Sequence, residues 1–318
     1  MNSMNNKSLP KAIFLMGPTA SGKTNAAVSL LQDYPVELIS VDSALVYKGM
    51  DIGTAKPDAK TLKIAPHHLI DLIPPTEAYS VANFRQDALF LMADIAARGK
   101  VPLLVGGTML YFKALESGLG NLPEANQIIR DKLDLEAEAI GWPAMHQKLA
   151  SIDPETATRL MPNDMQRIQR ALEVYEISGE TMTALYAKQA NDPLPYNVLK
   201  LALVPSDRKV LHERIAIRFK HMLADGFVDE VKNILSKYPG LTADSTAMRC
   251  VGYRQVLMHL GGEYDDVELQ DRGIFATRQL AKRQLTWLRG MGDVRTIDCV
   301  NEYSIKSSFN QLVKEFLS

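Results

Sequence analysis

The sequence predicts an α/β fold: a parallel sheet flanked by helices and interrupted by an inserted all-helical domain. Three observations lead there. Short apolar runs at 12–16, 36–41, 101–105 and 197–204 alternate with helical patterns. The first run empties into a glycine-punctuated loop that opens a helix. From about Pro123 to Gln189 the strand patterns stop and only helical periodicity remains. The expected division is therefore 1–122 with 190–318 for the sheet and C-terminal helices, and 123–189 for the insertion.

The glycine-punctuated loop carries the chemistry. Gly17-Pro18-Thr19-Ala20-Ser21-Gly22-Lys23-Thr24 fits G-x-x-x-x-G-K-[ST] at each fixed position, directly after the buried run Ala12 to Met16. This makes the expected sheet P-loop NTPase-like. Gly17 and Gly22 let the backbone curl until successive N–H groups face an anion. The helix expected over Asn25 to Leu31 adds the positive end of its dipole. Lys23 supplies a full charge, and the Thr24 hydroxyl is placed to hold Mg2+ against phosphate oxygens. All eight residues, Gly17 to Thr24, form the candidate phosphate cradle. Which polyphosphate it holds stays open.

Composition narrows the class. The chain has 318 residues, 46% hydrophobic and 23% charged, with net charge −1. That describes an ordinary globular protein with no global drive toward nucleic acid, so any such binding needs a local patch. Two cysteines, Cys250 and Cys299, exclude a disulfide framework and suit a reducing compartment. The N-terminus, Met1 to Pro10, is polar, and no run approaches the ~20 apolar residues that span a bilayer. A cytoplasmic protein without a membrane segment is expected.

Further along, Val36 to Val41 ends in Asp42-Ser43. A carboxylate at a strand's carboxyl end beside a phosphate loop sits where open α/β sheets place chemistry, although Asp is also a good helix cap. Tyr47 to Pro57, punctuated by Gly49, Gly53 and Pro57, reads as an ordered loop. His67-His68 lacks an i, i+4 partner, so a structural role is expected rather than a metal site. Ser80 caps a helix over Val81 to Ala97, which Gly99 stops. Val101 to Val105 leads into Gly106-Gly107-Thr108. An ATPase would more often carry an acid there, so a hydrolase is disfavoured.

In the insertion, helices are expected over Glu124 to Ile140, Trp142 to Ser151 and Asn163 to Ile177. Met165, Ile168, Leu172 and Tyr175 should form the buried stripe of the third, with Gln166 and Arg170 opposite. After the strand Asn197 to Val204, Ser206 caps a helix to Ala224 striped by Leu211, Ile215, Phe219 and Met222. Arg218 projects within the edge of that stripe, so it needs an anion, either a structural carboxylate or a bound phosphate. Residues 272–292 hold Arg272, Arg278, Lys282, Arg283 and Arg289 and no acid. Arg278, Lys282 and Arg289 share a helical sector of about 40°, which suggests a phosphate-backbone contact. A last strand over Val294 to Ile297 and a helix over Ser304 to Phe316 complete the expectation.

Several blocks together resemble the tRNA dimethylallyltransferase (tRNA isopentenyltransferase) family, of bacterial type. They are the loop, Asp42-Ser43, Met50-Asp51-Ile52-Gly53-Thr54-Ala55-Lys56-Pro57, His67-His68-Leu69-Ile70-Asp71, Tyr79 to Phe84 and Gly106 to Tyr111. Gln166 to Tyr175, Arg249 to Gln255 and Thr277 to Trp287 continue the match in the family's order. The resemblance implies transfer of a dimethylallyl group from dimethylallyl diphosphate to N6 of the adenosine 3′-adjacent to a tRNA anticodon. It implies Asp42 as general base, Thr108 as a positioning hydroxyl, and Lys23 and Arg218 on the departing diphosphate. It also implies Mg2+ at Thr24 and a monomer that grips the anticodon stem-loop.

The tRNA contacts so implied are Asp42, Ser43, Ala44, Leu45 and Thr108 around the turned-out base. From the insertion come Arg130, Gln166, Arg167, Ile168, Gln169 and Arg170. Arg249, Cys250, Val251, Gly252, Leu280, Lys282, Arg283 and Trp287 approach from another side. Leu45 stands where many members carry Gln, and the chain lacks cysteines for the C-terminal zinc finger of eukaryotic members. Two other readings of the residues stay open here. One is a small-molecule kinase in which Asp42 activates a hydroxyl. The other is a non-catalytic, nucleotide-gated RNA-binding protein.

Overall fold

The computed structural model describes residues 9–118, 120, 122–188 and 193–318. Most of the polar N-terminal segment and Gln189, at the end of the expected insertion, lie outside the described residues. Six strands form one parallel sheet: β1 (Lys11–Met16), β2 (Val36–Val41), β3 (His67–His68), β4 (Val101–Gly106), β5 (Asn197–Val204) and β6 (Arg295–Asp298). Their order is β3-β2-β4-β1-β5-β6. Ile13 of β1 lies opposite Leu103 on one side and Leu199 on the other, so the loop-bearing strand is central. Helices on both faces explain why these strands read as nearly continuous apolar runs.

The helices are α1 (Lys23–Asp33), α2 (Ala59–Ile64), α3 (Val81–Ala97), α4 (Met109–Ser117), α5 (Gln127–Ile140), α6 (Trp142–Ile152) and α7 (Pro154–Arg159). They continue as α8 (Met165–Ser178), α9 (Met182–Ala187), α10 (Arg208–Ala224), α11 (Phe227–Lys237), α12 (Tyr253–Leu260), α13 (Asp266–Arg289) and α14 (Glu302–Leu317). On one sheet face Ile13, Leu15, Leu38 and Leu103 pack with Leu30 of α1 and Phe309 and Val313 of α14. On the other, Phe14 meets Phe112 of α4 with ring centroids 5.1 Å apart. A separate core joins the loop after β2 (Val46, Tyr47, Met50) to α10–α13 through Phe219, Phe227 and Tyr253. Each such buried side chain contributes about 1.5–3 kcal/mol of apolar burial, which ties this loop to the helices.

The chain forms two compact units, Met1–Leu115 with Pro195–Ser318, and Glu116–Leu194. The second contains helices and no strand among its described residues, with Leu133, Met145, Leu149, Ile168 and Leu172 in its own core.

Several local expectations are corrected. Helix α1 begins at Lys23, two residues before Asn25, because Gly22 (φ 88°) takes the left-handed turn and ends the loop there. Helix α5 starts at Gln127 rather than Glu124, since the Asn126 side chain accepts the N–H groups of Ile128 and Ile129. The cap of α10 is Asp207, whose carboxylate accepts from Lys209 N–H. Ser206 instead donates its hydroxyl to Asp298 at 2.8 Å. In α8, Met165 and Tyr175 are exposed, and Ala171 and Val174 join Ile168 and Leu172 on the buried side. That rotation also buries Glu173 completely.

Candidate active site

The phosphate loop lies between the carboxyl end of β1 and the amino end of α1, where parallel sheets leave a crevice. A Cβ at Gly17 would lie 2.7 Å from Ser21 Oγ and 2.8 Å from the Leu203 carbonyl oxygen, so only glycine fits. Helix α1 has no side-chain cap and no acid in its first turn. Its leading N–H groups and dipole therefore remain directed at the loop. Ser21 Oγ is buried and has no hydrogen-bond partner among the described residues.

Strand β2 delivers Asp42 to the same edge. One carboxylate oxygen, Oδ1, accepts the N–H of Ala44 at 2.8 Å and of Leu45 at 3.3 Å. Asp42 thus shapes the following turn through Oδ1, although no helix begins there for it to cap, while Oδ2 has no hydrogen-bond partner among the described residues. Thr108, one residue after the glycine pair, accepts the Ser43 N–H on Oγ1 at 3.2 Å and donates its own N–H to Val41 O. A Cβ at Gly106 would lie 2.0 Å from the Val41 carbonyl oxygen. The glycine pair lets β4 close against β2 and set Thr108 beside Asp42.

Helix α10 supplies Arg218. Its side chain faces inward from the stripe edge, and burial lowers its pKa while the Asp42 charge opposes the shift. Burial, followed by the charge of Arg218, also lowers the Lys23 pKa to about 8, against an opposing pull from Asp42. Two cations and one carboxylate therefore share one electrostatic site. They line a cavity of about 630 Å³ together with Thr19, Thr24 and Thr108. The phosphate loop and the aspartate open into the same space.

Of the other candidates, Ser43, Ala44, Leu45, Arg249, Cys250, Val251, Leu280, Arg283 and Trp287 line that cavity as well. Burial, with Asp42 nearby, pushes the Cys250 thiol up to about 12, so it acts there as a neutral wall. Gly252 does not line the cavity; a Cβ there would meet the Phe227 ring at 3.1 Å, and its φ of 94° favours glycine. Lys282 is exposed outside the cavity. Arg278, expected on the same cationic sector, is half-buried and donates to the His212 carbonyl oxygen. Lys113 lies over the exposed Trp287 ring at 5.9 Å.

In the helical unit, Gln166 is exposed and Arg167 pairs with Asp164 at 2.8 Å. Gln169 donates to Asp134 at 2.6 Å. Arg130 and Arg170 are both committed to the buried Glu173, at 2.9 and 2.6 Å. The Ile168 side chain is fully buried in that unit's core and offers no surface for contact.

Some cavity residues escaped the sequence reading. His67 does the expected structural work, pairing Nδ1 with the Ala65 carbonyl oxygen at 2.7 Å, yet it also lines the cavity. Tyr47 and Tyr253 add aromatic wall. Glu230 accepts the N–H groups of Asp51, Ile52 and Gly53 and the Tyr253 hydroxyl, which fixes the loop that forms one side. Gln284 lines the cavity between the phosphate loop and the glycine pair. Only the glycines hinted at this crowding: a Cβ at Gly53 would lie 2.1 Å from Phe227.

A parallel sheet of this order, with a glycine-lysine loop at its crevice and a carboxylate across one cavity, defines a P-loop NTPase-like fold. Residues 45–291 match the family described as IPP transferase, and the chain belongs to that family. It is 63% identical, over 98% of both chains, to a tRNA dimethylallyltransferase of Methylobacillus flagellatus. It is 58% identical to a tRNA dimethylallyltransferase of Janthinobacterium sp. (strain Marseille), covering 92% of this chain and 93% of that one. Among solved structures it resembles the tRNA isopentenylpyrophosphate transferase of Bacillus halodurans, with TM-score 0.70, 35% identity and 96% of each chain covered. It also resembles a eukaryotic dimethylallyltransferase acting on tRNA, with TM-score 0.81 and 27% identity, over 97% of this chain and 79% of that one.

Proposed function

We propose that this chain transfers a dimethylallyl group from dimethylallyl diphosphate to N6 of the adenosine 3′-adjacent to the anticodon in tRNA, releasing diphosphate. One observation carries the reading: a single cavity is lined by Thr19, Lys23 and Thr24 of the phosphate loop and by Arg218, together with Asp42 and Thr108. In the proposed reaction the N6 lone pair forms a bond to the allylic carbon, and the bond from that carbon to the diphosphate oxygen breaks. The electron pair leaves on diphosphate, where Lys23, Arg218 and the N–H groups of Gly22, Lys23 and Thr24 at the start of α1 neutralise it. Asp42 takes the N6 proton on its free oxygen, and the Thr108 hydroxyl orients the acceptor. The adenine must be turned out of its stack to reach them.

Thr24, which lines the cavity with Lys23, would hold Mg2+ through its hydroxyl. The fit is chemical: no cluster of three His, Cys, Asp or Glu side chains suits a metal among the described residues. A hard cation here would take phosphate and water oxygens plus one hydroxyl, which is the habit of Mg2+. When bound, the ion adds positive charge at the leaving group.

The acting unit is taken to be a monomer, and a tRNA substrate suits a cytoplasmic enzyme. No helix among the described residues is long and apolar enough to cross a membrane. The test is mass spectrometry of nucleosides from tRNA incubated with Mg2+ and either dimethylallyl diphosphate or ATP. A five-carbon addition on adenosine with the allylic donor alone is expected. A phosphorylated product with ATP, or no modified adenosine, would overturn the assignment.

A further inference from the structure

Helix α13 presents Thr277, Leu280, Gln284 and Trp287 to the cavity, at the helical spacing that puts them on one face. Gln284 sits in the middle of that row. Its Oε1 accepts the Thr19 N–H of the phosphate loop at 2.8 Å. Its Nε2 donates to the Gly107 carbonyl oxygen at 3.0 Å. The amide therefore spans the two halves of the site: the loop that grips the leaving diphosphate, and the turn whose next residue, Thr108, is bonded to Ser43 beside Asp42. Gly107 is shaped for this contact, because a Cβ there would lie 2.3 Å from Gln284 Nε2 and 3.3 Å from the Gly17 carbonyl oxygen.

An alkylation of this kind needs the incoming amine and the departing oxygen on opposite sides of one carbon. An error of about 1 Å in their separation can lower the rate ~10²-fold. Two loops set that separation; they leave the paired strands β1 and β4 just past Met16 and Gly106, and Gln284 joins them beyond the end of that pairing. Resting on the transfer reaction proposed above, we propose that Gln284 is a positioning residue that fixes the phosphate loop against the Gly107–Thr108 turn, and so sets the distance between leaving group and acceptor. Glutamine suits this bridge because a neutral amide supplies one acceptor and one donor at once, with no charge to compete with diphosphate.

The test compares steady-state kinetics and thermal unfolding of the wild type, Gln284→Met and Gln284→Glu, in the full chain. Methionine keeps the length and removes both hydrogen bonds. It should lower kcat by ~10–100-fold, leave both KM values within about threefold, and lower Tm by only a few degrees. Glutamate keeps an acceptor for the Thr19 N–H but loses the donor to Gly107 and adds a negative charge beside the loop. It should additionally raise KM for the allylic donor about tenfold while KM for RNA stays put.

A Gln284→Met kcat within twofold of wild type would overturn the proposal. So would a fall in Tm with kcat and both KM values shifting together, which marks a merely structural residue. If Gln284→Met does not fold, an unchanged donor KM in Gln284→Glu serves the same end. Failure of the wild type to transfer any group would sink the reaction itself, an outcome distinct from normal transfer by the variants.

Discussion

Lys23 donates its ammonium to the Pro18 carbonyl oxygen at 2.7 Å, so the lysine of the phosphate loop rests on the loop itself. Its pKa, lowered to about 8 by burial and then by Arg218, sets a pH window. An anion in the cradle favours the charged amine. Pyrophosphate affinity should therefore be flat below about pH 8 with respect to Lys23 and weaken above it, by up to about tenfold per pH unit. The sign for folding is opposite: between about 8 and the unfolded value of 10.5 the unfolded chain holds a proton that the folded one lacks, so stability rises with pH there. Titration calorimetry of pyrophosphate against pH checks the first point. Lys23→Met should bind more weakly at pH 7 and lose the extra slope, while the ligand's own ionisation is common to both proteins.

Asp42 plays two roles with two oxygens, and the substitution chosen decides which is probed. Asp42→Asn keeps an amide oxygen able to accept from Ala44 and Leu45, so the turn should survive. Turnover should fall by ~10²–10⁴-fold, the usual contribution of a general base. Affinity for the RNA stem-loop, dominated by phosphate contacts, should change by less than about threefold. Asp42→Ala should show the same loss of turnover and also a lowered Tm, since about 1 kcal/mol of turn hydrogen bonding disappears. Single-turnover kinetics beside thermal unfolding separates the two effects.

The cationic face of α13 is narrower than its sequence suggests, and that sharpens the salt test. Lys282 and Arg283 are exposed, whereas Arg278 turns inward to His212 and Arg272 pairs with Glu268. Lys282→Ala and Arg283→Ala should each reduce the slope of log affinity against log salt by about 0.7–0.9. Arg278→Ala should lower Tm and leave the slope almost unchanged. Filter binding of the stem-loop at several salt concentrations measures this. Identical slopes in all three variants would remove α13 from the RNA-binding surface.

What could be read from the sequence follows a physical line. The strands β1, β2, β4 and β5 were legible because both faces of the sheet are covered, which leaves apolar runs with few interruptions. The loop 17–24 was legible because its glycines answer to local backbone geometry. Even Arg218 could be placed, from its angle to Ile215 and Phe219 on one helix. Gln284 could not, because its two partners lie 265 and 177 positions away and nothing local sets it apart from Gln270 and Gln279 in the same helix. Met165 and Tyr175 misled for a related reason: they fit the apolar period of α8, but the register that buries Ala171 and Val174 is set by neighbouring helices.

The same rotation makes Arg170 a structural residue first. Glu173 is wholly buried, and its carboxylate accepts from Arg130 Nε at 2.9 Å, Arg170 Nη1 at 2.6 Å and the Asn126 N–H at 2.8 Å. Burial works to raise its pKa, but the two guanidinium groups and the Asn126 N–H more than reverse this and hold it below the ordinary glutamate value. The ion group therefore contributes stability at neutral pH, and that contribution is lost as pH falls through the depressed Glu173 pKa. Arg170→Ala also frees the Pro123 carbonyl oxygen from its 2.6 Å bond to Nη2. Stability of the helical unit should fall by about 2 kcal/mol, less than the ~3–5 of a fully buried pair because Arg130 remains and Arg170 is partly solvated. Hydrogen exchange in α5 and α8 should quicken accordingly. Weaker RNA binding by Arg170→Ala would then count as a direct contact only if the salt slope also falls, because loosening of the unit changes affinity without removing a phosphate contact.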